Sequence, residues 1–577
     1  LLWSLAGGLG LSLGFGVVAL IPMRRPLHGD ARFATRREIE KAGLLGHQGI
    51  ILGRLGKRYL MLPGQQGAEL EAPPRSGKGV GVVVPNLLNW PGSTIVSDIK
   101  GENWMRSAGY RARHGQDVHL FDPLSETERS SRWNPLGYVS TEQAYRCIDD
   151  LQRIASMLYP DPQGADPFWT ASARSLFLGI ALYLFETDGA TRTIGEVLRQ
   201  GMASDAEGFQ KHWRRVIDAC ERAGYPLSQE AVKTLYDVID LAPVTASSIR
   251  KTFTSRLDLW LNPLIDAATS TNDFDLRDLR KRPISIYVQI NPDNIARLQP
   301  LLNLFFQQAI GLQTRQLPEH NPALKHQLLL VLDEFTSLGR IPVIADSTAF
   351  LPGYNVRVLI IVQSHSQMIE KYGVEGARSI RKMLAARIVF PPKEFDDAEA
   401  ISKELGTYTV KQKAITRQMW GGGRSPSVNV SDQPRRLMLP QEVKEMGSNR
   451  MILFYEGLRP VLAGRIYYFR DRFFAQRELP PPLVPKLDLS AVLRIPTPPA
   501  EHDPLMVSEG SGAEATPATR LAAAERPVAP GDVAKLDALL LDDFSLDFDD
   551  VEIPKGRPMT DAEVRSAVDQ FLATLAD

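Results

Sequence analysis

The sequence predicts an α/β protein that carries a phosphate-binding loop, an inserted all-α domain, an N-terminal transmembrane helix and a disordered acidic C-terminal tail. Three observations support this fold class. A Gly-Lys pair, Gly77 and Lys78, lies between apolar stretches. Helical periodicity replaces strand patterns over residues 141–265, and apolar strands that end in polar residues resume after it. Strands that alternate with helices are typical of a parallel sheet covered by helices.

Residues 1–23 predict the transmembrane helix. They carry no charge and have the length of a membrane span, while a buried core helix is the alternative. Arg24 and Arg25 follow at once, which indicates that the rest of the chain is cytoplasmic. Because the chain begins with Leu1 and not with Met, we expect that residues upstream are missing.

The stretch Ala72–Gly79 is the candidate phosphate-binding loop. Its second glycine and its lysine stand where such a loop needs them, but Ala72 replaces the first glycine and Gly79 replaces the Ser or Thr that normally holds Mg²⁺. Two strands within residues 49–62 are expected to lead into the loop. A glycine-rich turn before a surface helix is the alternative interpretation.

The buried strand expected at Ser93–Ser97 completes the strand–loop–helix–strand order that a phosphate-binding loop requires. Asp98 and Lys100 follow this strand, either as ligand-binding side chains at the sheet edge or as a solvated charge pair. Residues 24–140 therefore form the first part of the nucleotide-binding domain.

Residues 141–265 predict an all-α domain. Some basic and aromatic residues along it could contact DNA phosphates or form a solvated helix face. They are His212, Trp213, Arg214, Arg215, Arg250, Lys251 and Arg256.

Residues 266–475 predict the second part of the nucleotide-binding domain. The apolar run 328–332 ends in Asp333 and Glu334, as expected for an aspartate that orders Mg²⁺ and a glutamate that polarises the attacking water. The strand at residues 356–362 ends in Gln363, which we prefer to His365 as the residue that contacts the terminal phosphate.

The remaining chain predicts less regular structure. An irregular loop is expected at residues 416–436, and strands at Arg450–Tyr455 and Arg465–Phe469 are expected to close the sheet. Residues 476–577 are rich in Pro and Ala and then acidic, which indicates a flexible tail.

Composition excludes some classes of protein. Two distant cysteines, Cys147 and Cys220, form neither a disulfide framework nor a zinc site. The net charge is zero, but residues 532–552 hold eight acidic residues and one lysine, so the body is mildly basic. A basic body is compatible with nucleic-acid contact.

Several segments together resemble TraG-type coupling proteins, the TraG/TraD family of ATPases of conjugation and type IV secretion. They are APPRSGKGVGVVVPNLLNWPGSTIVSDIKGENW, PFWTASARSLFLGIALYLFE, FTSRLDLWLNP, SIYVQINPDNIARLQPLL, LVLDEFTSLG and GYNVRVLIIVQSHSQMIEKYG. The resemblance spans roughly residues 28–470 and keeps the order and spacing of the motifs.

The resemblance implies a RecA-like domain with an inserted all-α domain, in a homo-hexameric ring at the bacterial inner membrane with its soluble part in the cytoplasm. It implies that ATP and Mg²⁺ bind and that a relaxase–DNA complex, single-stranded DNA or a protein is passed to a type IV secretion channel. The phosphate-loop role carries onto Arg75, Ser76, Gly77, Lys78, Gly79 and Val80.

The catalytic roles carry onto Asp333 as the Mg²⁺ residue, Glu334 as the water-activating residue and Gln363 as the sensor. A ring ATPase also uses an arginine from the neighbouring subunit, and Arg340 and Arg357 both lie in the right part of the chain. Two alternatives to a DNA-stimulated ATPase remain: an ATP-binding recruitment receptor with little turnover, and an FtsK-like DNA translocase.

Overall fold

The computed structural model describes residues 27–161, 164, 166–204, 208–347, 349–416 and 427–490. The predicted transmembrane helix and the acidic part of the predicted tail lie outside these residues. Among the residues described, the one helix long and apolar enough to cross a membrane is Phe168–Glu186, and more than half of its most apolar window is buried inside the fold.

A mixed sheet of 11 strands forms the body, and a separate two-stranded hairpin lies beside it. The strands are β1 (Ile50–Leu55), β2 (Arg58–Leu62), β3 (Gly67–Glu71), β4 (Ser93–Asp98), β5 (Asp117–Phe121), β6 (Ile284–Gln289), β7 (Leu328–Leu332), β8 (Val356–Val362), β9 (Leu384–Val389), β10 (Thr407–Thr416), β11 (Ser427–Arg436), β12 (Arg450–Tyr455) and β13 (Val461–Gly464).

The order across the sheet is β2-β1-β13-β12-β9-β3-β8-β7-β4-β6-β5, and β10 pairs with β11 in the hairpin. The strands from β9 to β5 pair in parallel, whereas β12, β13, β1 and β2 extend the sheet with antiparallel pairs. Every residue of β7 and β8 is buried, which explains their near-continuous apolar sequences.

The α-helices of the described residues cover the sheet and fill the interval between β5 and β6. They are α1 (Arg36–Lys41), α2 (Val84–Leu87), α3 (Glu102–Arg113), α4 (Ala144–Leu158), α5 (Phe168–Glu186), α6 (Ile194–Met202), α7 (Phe209–Arg222), α8 (Gln229–Ile239), α9 (Pro243–Leu257), α10 (Pro263–Ala268), α11 (Ile295–Gln313), α12 (Pro342–Ser347), α13 (His365–Lys382), α14 (Phe395–Glu404), α15 (Pro440–Lys444) and α16 (Arg472–Ala475).

Helices α4 to α10 all lie between β5 and β6, and their described residues contain no strand. Helix α5 is buried along most of its length, and α8 and α9 pack on it. Its apolar residues join one continuous core with those beneath the sheet, including Phe177, Phe253 and Phe305. An apolar helix is therefore stable here because its neighbours remove most of its surface from water.

The strand before the phosphate loop differs from the prediction. We expected the strands of residues 49–62 to lead into the loop, but β1 and β2 form the sheet edge and β3 precedes the loop. Its sequence, GAELE, carries two buried glutamates. Arg381 at the end of α13 forms ion pairs with both Glu69 and Glu71. These pairs compensate the charge of the two glutamates, which would otherwise be costly to bury in the middle of the sheet.

Three other predictions near the end of the domain are wrong. Of the irregular loop expected at residues 416–436, residues 427–436 are strand β11, which pairs with β10, and residues 417–426 lie outside the described residues. The last strand in the chain is β13, so residues 465–469 follow a strand of the sheet instead of forming one. Residues 476–490 pack on the body, where Leu487 is buried and Val484 accepts a hydrogen bond from Arg129.

Candidate active site

The candidate site lies at the carboxyl edge of four neighbouring parallel strands. These strands are β3, β8, β7 and β4, adjacent in that order. The phosphate loop follows β3, Gln363 follows β8, Asp333 and Glu334 follow β7, and Asp98 ends β4. Because parallel strands end at the same edge, residues far apart in sequence meet in one cleft.

The loop adopts the backbone shape of an anion cradle. Arg75 and Gly77 have left-handed backbones, with φ of 59° and 80°. A π-helix at Gly79–Val83 begins directly behind Lys78 and continues into α2. The free N–H groups of such a turn can donate to phosphate oxygens.

Lys78 meets both acids of the predicted pair. Its ammonium forms an ion pair with Glu334 and lies 3.6 Å from Oδ1 of Asp333. Burial raises the pKa of Asp333, and Lys78 opposes that rise. Burial would also raise the pKa of Glu334, but hydrogen bonds from Lys78 and Gln363 hold it below its ordinary value. Glu334 is therefore an ionised carboxylate at neutral pH.

Gln363 connects the acid pair to helix α13. Its Nε2 donates to Glu334 at 2.9 Å, and its Oε1 accepts from Gln367 at 3.3 Å. His365 does not take this place, since it begins α13 and its buried Nδ1 has no hydrogen-bond partner among the described residues. The side chain of Gln363 can thus report a change at Glu334 to the helix that follows it.

A third carboxylate, Asp98, lies in the same cleft. The side chain is buried and accepts a 2.7 Å hydrogen bond from the N–H of Trp104. Burial raises its pKa to about 6, and the nearby charge of Asp333 adds to this. Lys100 lies at the exposed rim and favours the charged form of Glu334. Asp98 is therefore a buried residue of the site and not a solvated one.

The cleft has a volume of about 420 Å³. Its walls include Lys78, Gly79, Asp98, Asp333 and Tyr468. Another cavity of about 1000 Å³ lies beside α4, where Tyr145, Asp149 and Arg153 line it, and none of the phosphate-loop residues lines it. We place the site in the smaller cleft because the loop lysine and the acid pair converge there.

The residues present fit a nucleotide with Mg²⁺. The Ser76 hydroxyl, within the loop itself, is buried without a hydrogen-bond partner among the described residues. A side chain at Gly79 would find open space, with nothing within 4 Å. Asp333 is the carboxylate that would hold Mg²⁺, whose charge neutralises phosphate oxygens when it is bound.

Arg357 does not fit the predicted role of an arginine finger. It is 1% exposed and lies near the amino end of β8, whereas the phosphate loop lies at the carboxyl ends of the strands. Its guanidinium donates to the carbonyls of Leu62 and Gln66. It cannot reach a neighbouring subunit, so this prediction was wrong. Arg340 is exposed after β7 and stays a prediction.

The basic residues of the helical segment have local partners. Trp213 is fully buried. Arg214 pairs with Asp240 on the surface, and Arg250 donates to two backbone carbonyls at the end of α6. These contacts favour the solvated-face interpretation over contact with DNA for Arg214 and Arg250, whereas Trp213 belongs to the core and fits neither interpretation.

The sequence did not reveal Arg465 or Tyr468. Both follow β13, in the antiparallel extension of the sheet, yet Arg465 contacts the phosphate loop and Tyr468 lines the cleft. A strand predicted through these residues concealed them. Asn103 was also missed: it contacts Asp333 from the start of α3.

The parallel sheet, the loop and the acid pair define the class of P-loop nucleotide-binding proteins. The family model described as "Type IV secretory system Conjugative DNA transfer" matches residues 32–487. The chain therefore belongs to this family, and the predicted resemblance is confirmed.

Similar proteins support the assignment. The conjugal transfer protein TraG of Escherichia coli is 29% identical over 509 residues, which cover 79% of each chain. The VirD4 protein of Rhizobium radiobacter is 30% identical over 77% of this chain and 64% of its own length. The fold matches plasmid coupling protein TrwB, solved in complex with ADP and Mg²⁺, with a TM-score of 0.55 and 16% identity over 78% of this chain and 98% of that one.

Proposed function

We propose that this chain is a coupling ATPase of conjugative DNA transfer. It binds ATP and Mg²⁺ at the cleft, and hydrolysis energises the delivery of a relaxase–DNA complex, or of a protein, to a type IV secretion channel. The observation that carries the proposal is the ion pairing of Lys78 with Asp333 and Glu334 beside Gln363. In a chain of this family, that arrangement joins phosphate binding to water activation.

Each residue of the site takes one role in this proposal. Lys78 and the backbone of Arg75–Val80 bind the phosphates. Glu334 is ionised and accepts a proton from the attacking water, and Gln363 orients Glu334 and follows its change of charge. The contact of Lys78 with both carboxylates offsets their charge before phosphate binds.

The wider assembly is also part of the proposal. The chain would work as a homo-hexamer with a RecA-like core, anchored by residues 1–23 in the bacterial inner membrane with its soluble part in the cytoplasm. Helices α4 to α10 would form an all-α domain inserted into that core. Exposed Arg340 would reach the nucleotide of the neighbouring subunit.

The first test is ATP hydrolysis by the full chain with and without single-stranded DNA. The wild type is expected to hydrolyse ATP faster with DNA, and Lys78→Ala is expected to be inactive. Lys281→Ala is the control, since Lys281 is a surface lysine that pairs only with Asp278 among the described residues. Equal activity of wild type and Lys78→Ala would exclude the site.

The hydrolysis assay tests the receptor alternative, and a relaxase pull-down tests the translocase alternative. A recruitment receptor would bind ATP without turnover in either condition. A DNA translocase such as FtsK would need no relaxase, so relaxase binding by the full chain in a pull-down favours the coupling function. If DNA binding uses the basic body, its affinity should fall steeply between 50 and 200 mM salt, as it does for proteins that neutralise several phosphates.

A further inference from the structure

Arg465 is a buried arginine beside the phosphate loop that the proposed catalytic roles do not use. It follows β13 directly, and 4% of its surface is exposed. Its guanidinium donates to the backbone carbonyl of Ser76 and packs on the ring of Phe390, whose centroid is 3.8 Å away. It follows a strand of the antiparallel extension and is 389 residues from Ser76 in sequence, so only the tertiary structure brings the two together.

Two other buried arginines show what is unusual about Arg465. Arg111 donates to three backbone carbonyls and to a serine hydroxyl, and Arg357 donates to two carbonyls. Arg465 contacts one carbonyl, and its buried Nε has no hydrogen-bond partner among the described residues. No carboxylate of the described residues pairs with it, and burial lowers its pKa.

A buried cation with so few partners is costly unless the site supplies a negative charge. The loop beside Arg465 carries no acidic residue, but the phosphates of a bound nucleotide would bring negative charge there. The guanidinium lies 3.1 Å from the place where a Cβ on Gly77 would stand. The positive charge of Arg465 therefore lies directly beside Gly77, and Gly77 lines the nucleotide cleft.

The direction of the hydrogen bond gives the role. A peptide bond is planar and trans, so the Ser76 carbonyl and the Gly77 N–H point in opposite directions. Arg465 holds the carbonyl, and Arg465 is not among the residues that line the cleft. Fixing the carbonyl on that side turns the Gly77 N–H towards the cleft.

We propose that Arg465 is a positioning residue for nucleotide binding, which fixes the Ser76–Gly77 peptide so that its N–H meets the phosphates and which adds an unneutralised positive charge behind the loop. This inference rests on the proposed function, because it needs a nucleotide in the cleft. It also gives the antiparallel extension of the sheet a function in the site.

The test compares Arg465→Ala, Arg465→Lys and Arg470→Ala in the full chain. Arg470 is the matched control, since it lies five residues further along the same segment and stacks on Tyr467 and Phe469 without a contact to the loop. The readouts are the Kd for ADP with Mg²⁺ by calorimetry and the KM and kcat for ATP.

A positioning residue acts on binding in the ground state and the transition state alike, so KM should rise while kcat changes little. For Arg465→Ala we expect Kd and KM to rise about tenfold or more, the order of magnitude for one lost bond to a charged group. Arg465→Lys keeps the charge and should recover part of the affinity. Arg470→Ala should match the wild type.

Two results would overturn the inference. One is an unchanged Kd in Arg465→Ala. The other is a fall in kcat with unchanged KM, which indicates a smaller folded fraction and a merely structural role. A failure of the proposed function would give a different result. The wild type itself would not bind ADP, and Lys78→Ala would not differ from the wild type in this measurement.

Discussion

Replacing Arg357 tests whether that residue supports the fold or catalysis. Arg357→Ala removes the donors for the carbonyls of Leu62 and Gln66 and the stacking of the guanidinium on Trp90. The buried carbonyl of Leu62 without a partner costs about 2 kcal/mol, and the partly buried carbonyl of Gln66 costs about 1 kcal/mol. The lost side-chain methylenes cost about 2 kcal/mol.

A gain offsets part of this loss. Burial lowers the pKa of Arg357 to about 10 from an ordinary value of 12.5, so relief from burying the charge returns about 3 kcal/mol. The net effect of Arg357→Ala is a free energy of unfolding lower by about 2 kcal/mol. Arg357→Met keeps most of the apolar stem and should lose about 2 kcal/mol less.

The assay is urea unfolding of the two variants beside Arg340→Ala, followed by ATP hydrolysis at a temperature where each variant is folded. Arg340 is exposed, so its loss should leave unfolding unchanged. The structural account predicts normal kcat in folded Arg357→Ala. Wild-type stability together with a collapsed kcat would refute it and restore Arg357 as an arginine finger.

Two further changes probe the cleft. Gly79→Ser adds the hydroxyl that the loop lacks, and the space around Gly79 is open. This variant should therefore lower the Mg²⁺ concentration for half-maximal hydrolysis severalfold, whereas Gly79→Ala should leave it unchanged. Equal Mg²⁺ curves for the two variants would contradict this prediction. Asp98→Asn removes a carboxyl whose folded pKa is raised to about 6. The folded state binds its proton more tightly than the unfolded state, so wild-type stability falls as pH rises from about 4 to 6. Relative to wild type, Asp98→Asn should therefore gain about 2–3 kcal/mol above pH 6 in urea unfolding, and a pH-independent difference would argue against the raised pKa.

The sequence was informative where one local pattern determined both structure and chemistry. The apolar runs of β7 and β8 are buried on both faces, so their sequences predicted strands correctly. The residues that follow these strands, Asp333, Glu334 and Gln363, lie in the cleft region as expected. The loop was readable because Gly77 and Lys78 carry their function in adjacent positions.

The sequence was uninformative where distant residues supply the missing partner. Strand β3, with Glu69 and Glu71, was not predicted, and the partner of these two glutamates, Arg381, is more than 300 residues away. Arg357 is polar inside an apolar strand, and its partners are backbone carbonyls that no sequence pattern marks. Arg465 was assigned to a strand, although β13 ends one residue before it.

The most direct test of the central claim is the fate of bound ATP in the Glu334→Gln variant of the full chain. The claim is that Lys78, Asp333 and Glu334 form one site that both binds and hydrolyses ATP. Glu334→Gln should bind ATP with nearly wild-type affinity and hydrolyse it about 10²–10⁴ times more slowly, the contribution of a positioned general base. Rapid hydrolysis by this variant, with ATP affinity intact, would contradict the assignment of Glu334 and with it the account of the site.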